Sequence, residues 1–307
     1  MNQTSYGALW DQRALTPEAA MAAVDGSSSE DILRHTGAWS AEQVATALDV
    51  KTTDHVLELG CGVGRIGREL APRCGRWTGV DISANMIEHA SRRLDCHANV
   101  DFHVLTRSAL DALPGQSVDK AYSIAVFCHM DKEDLFLYLQ DLHRVLKTGG
   151  LIFVETWNLV HPVGWRRWAY EPLVWADADQ TQRKDVGRNQ FCTPEEFELY
   201  VSQAGFTPLA NYHESQSVQI IAGKSLGTVA LEAQTRRLDE NRDQVAYSPL
   251  YAELFGQFVD VIFGTLSAQD MLSYMNQRAD TAEVALYRPY LLSLWRKNAA
   301  LWGNSPE

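Results

Sequence analysis

The chain has 307 residues, enough for one large domain or one domain plus a substantial extension, and carries 27 Lys and Arg against 39 Asp and Glu for a formal charge of −12. That balance opposes the broad positive field that phosphate-backbone binding needs, so nucleic acid is excluded as the expected partner. Five cysteines (Cys61, Cys74, Cys96, Cys128, Cys192) are odd in number and widely spaced, without a C-x-x-C pair, which argues against a disulfide framework or zinc site and for reduced thiols in the cytoplasm.

The first thirteen residues show no basic segment followed by an apolar stretch, and the most continuous apolar run, AYSIAVFC, is far short of a membrane span. A cytoplasmic protein with no membrane partner is expected. Residues 1–50 read as a helical cap: Thr16-Pro17 is a start signal with proline at the first helical position, and Ser40 with Gln43 forms a capping box. From His55 the pattern changes to short apolar strands alternating with helices, the signature of a parallel sheet covered on both faces. Strands are expected at HVLELG, RWTGVD, VDFHVL, DKAYSIAV and LIFVETW, and helices near Gly64–Ala71, Asn85–Leu94 and Asp131–Leu146, the last ended by the turn Lys147-Thr148-Gly149-Gly150.

Residues 158–192 break this pattern as an aromatic insert holding Trp165, Trp168, Tyr170 and Trp175, irregular in expectation and suited to a lid. Thr193-Pro194-Glu195-Glu196 opens another helix, Gly205 ends it, and SVQIIAG reads as the final strand of a core spanning 51–225. Residues 226–307 form a helical extension, with Leu250, Leu254, Phe258 and Val261 at helical spacing.

The chemistry concentrates in VLELGCGVGRIG, Val56 to Gly67, and in Asp81 at the end of the next strand. A glycine turn between strand and helix lets a ligand approach the backbone, and an acid beside it accepts hydrogen bonds from both hydroxyls of a ribose. Gly62, Gly64 and Gly67 also satisfy the dinucleotide pattern G-x-G-x-x-G, so an NAD-dependent oxidoreductase is the rival reading. Glu58 and Gly60 separate the two, because a carboxylate there repels a pyrophosphate and suits a cationic amino group.

With these residues in place the chain resembles the class I S-adenosylmethionine-dependent methyltransferases, from His55 to Lys224. The likeness is reinforced by LPGQSVDKAYSIAVFCHM and YLQDLHRVLKTGGLIFVE, which match the fourth strand, fourth helix and fifth strand of that family. It implies a Rossmann-like α/β fold with a mostly parallel seven-stranded sheet, helices on both faces, N-terminal helices and the C-terminal extension. It further implies that Glu58, Gly60, Cys61, Gly62, Gly64 and Arg65 form the cofactor loop, that Asp81 binds the ribose, and that Ile82 and Met86 flank the adenine. Many relatives place an acid before the Leu-Pro. Here Ser108, Ala109 and Leu110 stand there instead, and Ser123 completes the expected set. Arg34 is the candidate for the cofactor carboxylate, against the reading of a solvated arginine. Tyr6 and Trp10 either cap the cofactor or pack the N-terminal arm.

The expected function is methyl transfer from S-adenosylmethionine to a small-molecule acceptor, such as a hydroxyl on a sugar or another metabolite, with no metal. His129, just after the fourth strand, is the leading candidate for a general base, and His161 in the insert is the second. A catalytically silent cofactor-binding subunit acting through the extension is the alternative from another class. The extension is expected to cover the acceptor site, or else to form a homodimer through its helices.

Overall fold

A computed structural model describes residues 5–179 and 188–306. Among the described residues eight strands form one sheet: β1 (His55–Leu59), β2 (Arg76–Asp81), β3 (Val100–Val104), β4 (Val118–Ser123), β5 (Leu146–Asn158), β6 (Phe191–Cys192), β7 (Thr207–Tyr212) and β8 (Ser217–Gly223). The order is β3-β2-β1-β4-β5-β8-β7, with the two-residue β6 paired to the end of β5. Strands β1 to β6 pair in parallel, while β8 runs antiparallel to both β5 and β7. Strand order reverses between β1 and β4, and the crevice beyond the carboxyl ends of those two strands is where an open α/β sheet binds ligands.

Helices cover both faces. Before the sheet come α1 (Ser5–Arg13), α2 (Pro17–Asp25) and α3 (Glu30–Leu48), and between its strands α4 (Arg65–Leu70), α5 (Ala84–Arg93), α6 (Lys132–Val145), α7 (Pro162–Val174) and α8 (Pro194–Gln203). Side chains alternate across the sheet, so β1 sends Leu57 and Leu59 to a core shared with Leu139 of α6 and Phe197 of α8. Val56 goes to the opposite core with Val44 of α3, Ile66 of α4, Trp77 and Phe153. Burying a side chain of this size stabilises by about 1.5–3 kcal/mol. After β8 the chain is helical: α9 (Thr228–Glu240), α10 (Arg242–Val245), α11 (Pro249–Ile262), α12 (Ala268–Asn276), α13 (Ala282–Lys297) and α14 (Ala299–Trp302). These helices build a third core from Leu254, Met271, Met275, Leu291 and Trp295, closed by Trp39 of α3. No helix of the described residues is long and apolar enough to cross a membrane.

Thr16 caps α2 as its sequence predicts, accepting from the N–H of Ala19 with Pro17 in the first turn. Ser40 does not start a helix. It lies inside α3, a 19-residue helix that begins ten residues earlier, and its hydroxyl accepts from Arg65 Nη1 at 3.1 Å. The expected turn at Lys147–Gly150 is also different: α6 ends at Val145 and the chain enters β5 at once, Gly149 taking φ 81° where its N–H meets the carbonyl of Lys224. The irregular insert begins as helix α7, capped by His161 and stabilised by stacking of Trp165 on Trp168 at 5.0 Å. Its residues 180–187 lie outside the described residues.

Candidate active site

The turn after β1 is set by two constraints. Gly60 and Gly62 hold φ of 74° and 52°, in the left-handed region that favours glycine. A Cβ on Gly60 would lie 2.4 Å from Val126 Cγ2, and one on Gly62 would lie 2.8 Å from Val24 Cγ2. The loop therefore exposes backbone where any larger residue would clash. Asp81, at the end of β2, accepts the N–H of Gly62 on one carboxylate oxygen and that of Ser83 on the other, each at 2.9 Å. Each oxygen keeps a lone pair, so the carboxylate can still accept from a ligand. Burial raises its pKa, and those backbone N–H groups oppose the shift.

Glu58 ends a buried chain of donors. Trp77 Nε1 donates to the Tyr122 hydroxyl at 3.1 Å, which donates to Glu58 Oε2 at 2.6 Å. Burial pushes this carboxyl up to about 8, against the Tyr122 hydrogen bond and the Arg65 charge. Arg65, in the first turn of α4, has a side chain only 11% exposed. Its Nε lies 3.8 Å from Asp25 Oδ1 and has no hydrogen-bond partner among the described residues.

These groups line one cavity of about 1000 Å³, mouth included. Of the residues expected at the site, it brings together Glu58, Gly60, Cys61, Gly62, Arg65, Asp81, Ile82, Met86, Ser108 and His129. Gly64 begins α4 behind the loop, Leu110 is fully buried in the core, and Ser123 turns its hydroxyl to the carbonyl of Leu59. Ala109 adjoins Ser108 without lining the cavity. Arg34 is 63% exposed, paired with Asp31 on the surface of α3. His161 lies elsewhere too. Its Nδ1 accepts from the Val163 N–H at the start of α7, and it faces a separate depression with Arg166, Glu214 and Glu253.

Sequence reasoning missed two lining residues that α6 supplies. Asp134 and Tyr138 stand one helical turn apart and line the cavity together with Ser108, the Tyr138 hydroxyl donating to the carbonyl of Arg107 at 3.4 Å. Their spacing just after the fourth strand was the available signal. Both N-terminal aromatics also line the cavity, because α1 crosses it. At one end the Tyr6 hydroxyl accepts from the Asp131 N–H at 3.0 Å, and at the other Asp11 Oδ1 accepts from Ser83 Oγ at 2.7 Å and from Asn85 N at 3.2 Å.

His129 sits edge-on to Trp10, ring centroids 5.1 Å apart, with its Nδ1 buried and unpartnered among the described residues. Burial, with Arg13 and Arg167 nearby, lowers its pKa to about 4. The imidazole is therefore neutral at pH 7. No group of three or more His, Cys, Asp or Glu among the described residues is arranged to hold a metal ion.

Comparison with known proteins adds an independent line. Residues 56–150 match the family described as methyltransferase domain. The 2-methyl-6-phytyl-1,4-hydroquinone methyltransferase of Synechocystis sp. is 34% identical over 104 residues, covering 34% of this chain and 32% of that protein. A ubiquinone biosynthesis O-methyltransferase of Chelativorans sp. is 33% identical over 104 residues, 34% of this chain and 40% of the relative. The chain thus matches only about a third of the length of these relatives. Among solved structures, magnesium protoporphyrin IX methyltransferase from Synechocystis with bound S-adenosylhomocysteine superposes with a TM-score of 0.49 at 16% identity, over 63% of this chain and 84% of the other.

Proposed function

We propose, from the premise that residues 56–150 belong to the class I S-adenosylmethionine-dependent methyltransferase family, that this chain methylates a small-molecule acceptor carrying a hydroxyl and an apolar body. The observation that carries the reading is the placement of Asp81, Glu58 and Arg65 around one cavity with the glycine loop. Their chemistry fits the cofactor. Asp81 would accept from the ribose hydroxyls, Glu58 would face the ammonium group, and the Arg65 guanidinium would face the carboxylate. Ile82 and Met86 would flank the adenine, with Ser108 and Asp134 at its edge.

When bound, S-adenosylmethionine supplies an electrophilic methyl carbon on a sulfonium sulfur. The chain's own residues align the acceptor and exclude water. Trp10, Val24, Val126 and Met130 give the cavity an apolar wall beyond the glycine loop, which suits a flat or hydrocarbon-bearing acceptor. The relatives named for a hydroquinone and for ubiquinone biosynthesis are consistent with such a body.

His129 would take the hydroxyl proton. With a pKa near 4, it cannot deprotonate a resting hydroxyl to any extent. It can accept a proton that becomes acidic as the oxygen bonds to carbon, and so acts in concert with transfer.

The test has two parts. Calorimetry should show binding of S-adenosylmethionine and S-adenosylhomocysteine but not NAD. Labelled methyl transfer should then occur to at least one member of a panel of quinols, phenols and carbohydrates, and His129→Ala should lower kcat by about 10²–10⁴-fold with S-adenosylhomocysteine affinity near wild type. Binding of NAD alone would sink the methyltransferase reading, and a fully active His129→Ala would remove the base.

A further inference from the structure

The C-terminal extension touches the cavity wall through a buried carboxylate, Glu155. Ala125, just past β4, lines the cavity with φ 57°, a conformation that a non-glycine residue holds only where its surroundings over-determine it. Its N–H donates to Glu155 Oε1 at 3.1 Å, and Glu155 Oε2 accepts from the Tyr247 hydroxyl at 3.0 Å. Glu155 is 5% exposed. Tyr247 leads into α11, stacked on Tyr251 at 4.3 Å, with its N–H donated to Gln219 Oε1. Next to Ala125, Val126 packs on Gly60 of the cofactor loop, so the Ala125 turn and the loop share one wall.

The buried Glu155 carboxylate therefore receives one donor from the cavity wall and another from the extension. Removing either donor leaves a buried charge short of a partner, which the structure can relieve only by moving the other.

We propose that Tyr247 is a positioning residue for the cofactor cavity, fixing the Ala125 turn through Glu155. The inference rests on the reading of this cavity as the S-adenosylmethionine site. It makes the extension part of the site rather than an appended module.

Calorimetry of the full chain with S-adenosylhomocysteine tests it, alongside thermal midpoints without ligand. If the wild-type chain does not bind, the site reading fails and this inference falls with it. Given wild-type binding, Tyr247→Phe should weaken affinity by about threefold or more. Glu155→Gln should stay within about twofold, because its amide oxygen still accepts from Ala125 and its NH₂ can donate to the Tyr247 oxygen. In a Glu155→Ala background Tyr247→Phe should have no further effect, since the link is already cut. If Glu155→Ala does not fold, Tyr247→Phe, which removes only a hydroxyl, still decides the matter. Wild-type affinity in Tyr247→Phe, with or without a lowered thermal midpoint, overturns the proposal, and so does an additive effect in the double variant.

Discussion

Asp81 and Glu58 are both buried carboxyl groups within one cavity, yet their partners give them different behaviour. Asp81 is held by two backbone N–H groups. Hydrogen bonds to a charged group are worth about 1.5–3 kcal/mol each, so Asp81→Ala should weaken S-adenosylhomocysteine binding by one to a few decades, at ~1.4 kcal/mol per decade. Unchanged affinity in calorimetry would remove the ribose role. Glu58 has one hydroxyl donor, and burial raises its carboxyl from 4.5 to about 8. Between those values the folded chain keeps a proton that the unfolded chain has lost, so this group makes stability fall as pH rises from 4.5 toward 8. Glu58→Gln should therefore flatten the dependence of Tm on pH across that window. An unaltered slope in thermal melts would show that Glu58 is already ionised in the free protein.

At the scale of elements, α1 is the piece whose role follows least directly from its own sequence. Its nine residues include Tyr6 and Trp10, an ordinary short helix until α5 and α6 are folded beneath it. The attachment at Asp11 uses groups at the start of α5, immediately after Asp81, so the helix over the cavity is fastened beside the group that would hold the ribose. Asp11→Ala should free that end and speed dissociation of S-adenosylhomocysteine by about tenfold, the loss of roughly one hydrogen bond to a carboxylate. Stopped-flow fluorescence can follow it, with Trp10→Phe identifying the reporter. A wild-type off-rate would mean that α1 does not hinder exit. The contrast between Thr16 and Ser40 belongs to this scale too. Both start a capping pattern, but Ser40 lies beside an apolar stripe, Leu33, Gly37, Ala41, Val44 and Leu48, that buries α3 without interruption, and tertiary burial overrides a local start signal.

For the whole molecule, the apolar faces of the extension are buried within the chain itself, on α3, α7 and one another. Arg237 of α9 donates to the carbonyls of Thr46 and Ala47, and Gln43 of α3 donates to the carbonyl of Val245. Deleting residues from Leu226 onward would expose Trp39 and leave the donors of α3 and the end of α3 without partners. The truncated chain should aggregate or lose most of its thermal stability, which size-exclusion chromatography and melting curves would show. A soluble truncated monomer with wild-type affinity for S-adenosylhomocysteine would mean that the extension is an independent module.

The glycine loop, Asp81 and the positions of the first five strands along the chain were legible in the sequence, because each depends on local facts. Positive φ selects glycine, strand-to-helix turns fall at fixed spacing, and a parallel strand buried on both faces reads as a continuous apolar run. The helical character of the extension was legible for the same reason, through its 3.6-residue period. What only the tertiary structure decided was which distant groups meet. Arg34 and Arg65 are both arginines on helices near the motif, but only Arg65 lies on the α4 face turned into the crevice. His129 and His161 both follow strands, but Phe127–His129 folds back beneath Trp10 while His161 caps a new helix facing away. The Glu155–Tyr247 link and the Tyr6–Asp131 bond join residues 92 and 125 positions apart. Sequence periodicity fixes which face of an element is apolar, but contacts across such separations depend on how those faces are packed together, and that is settled only when the whole chain folds.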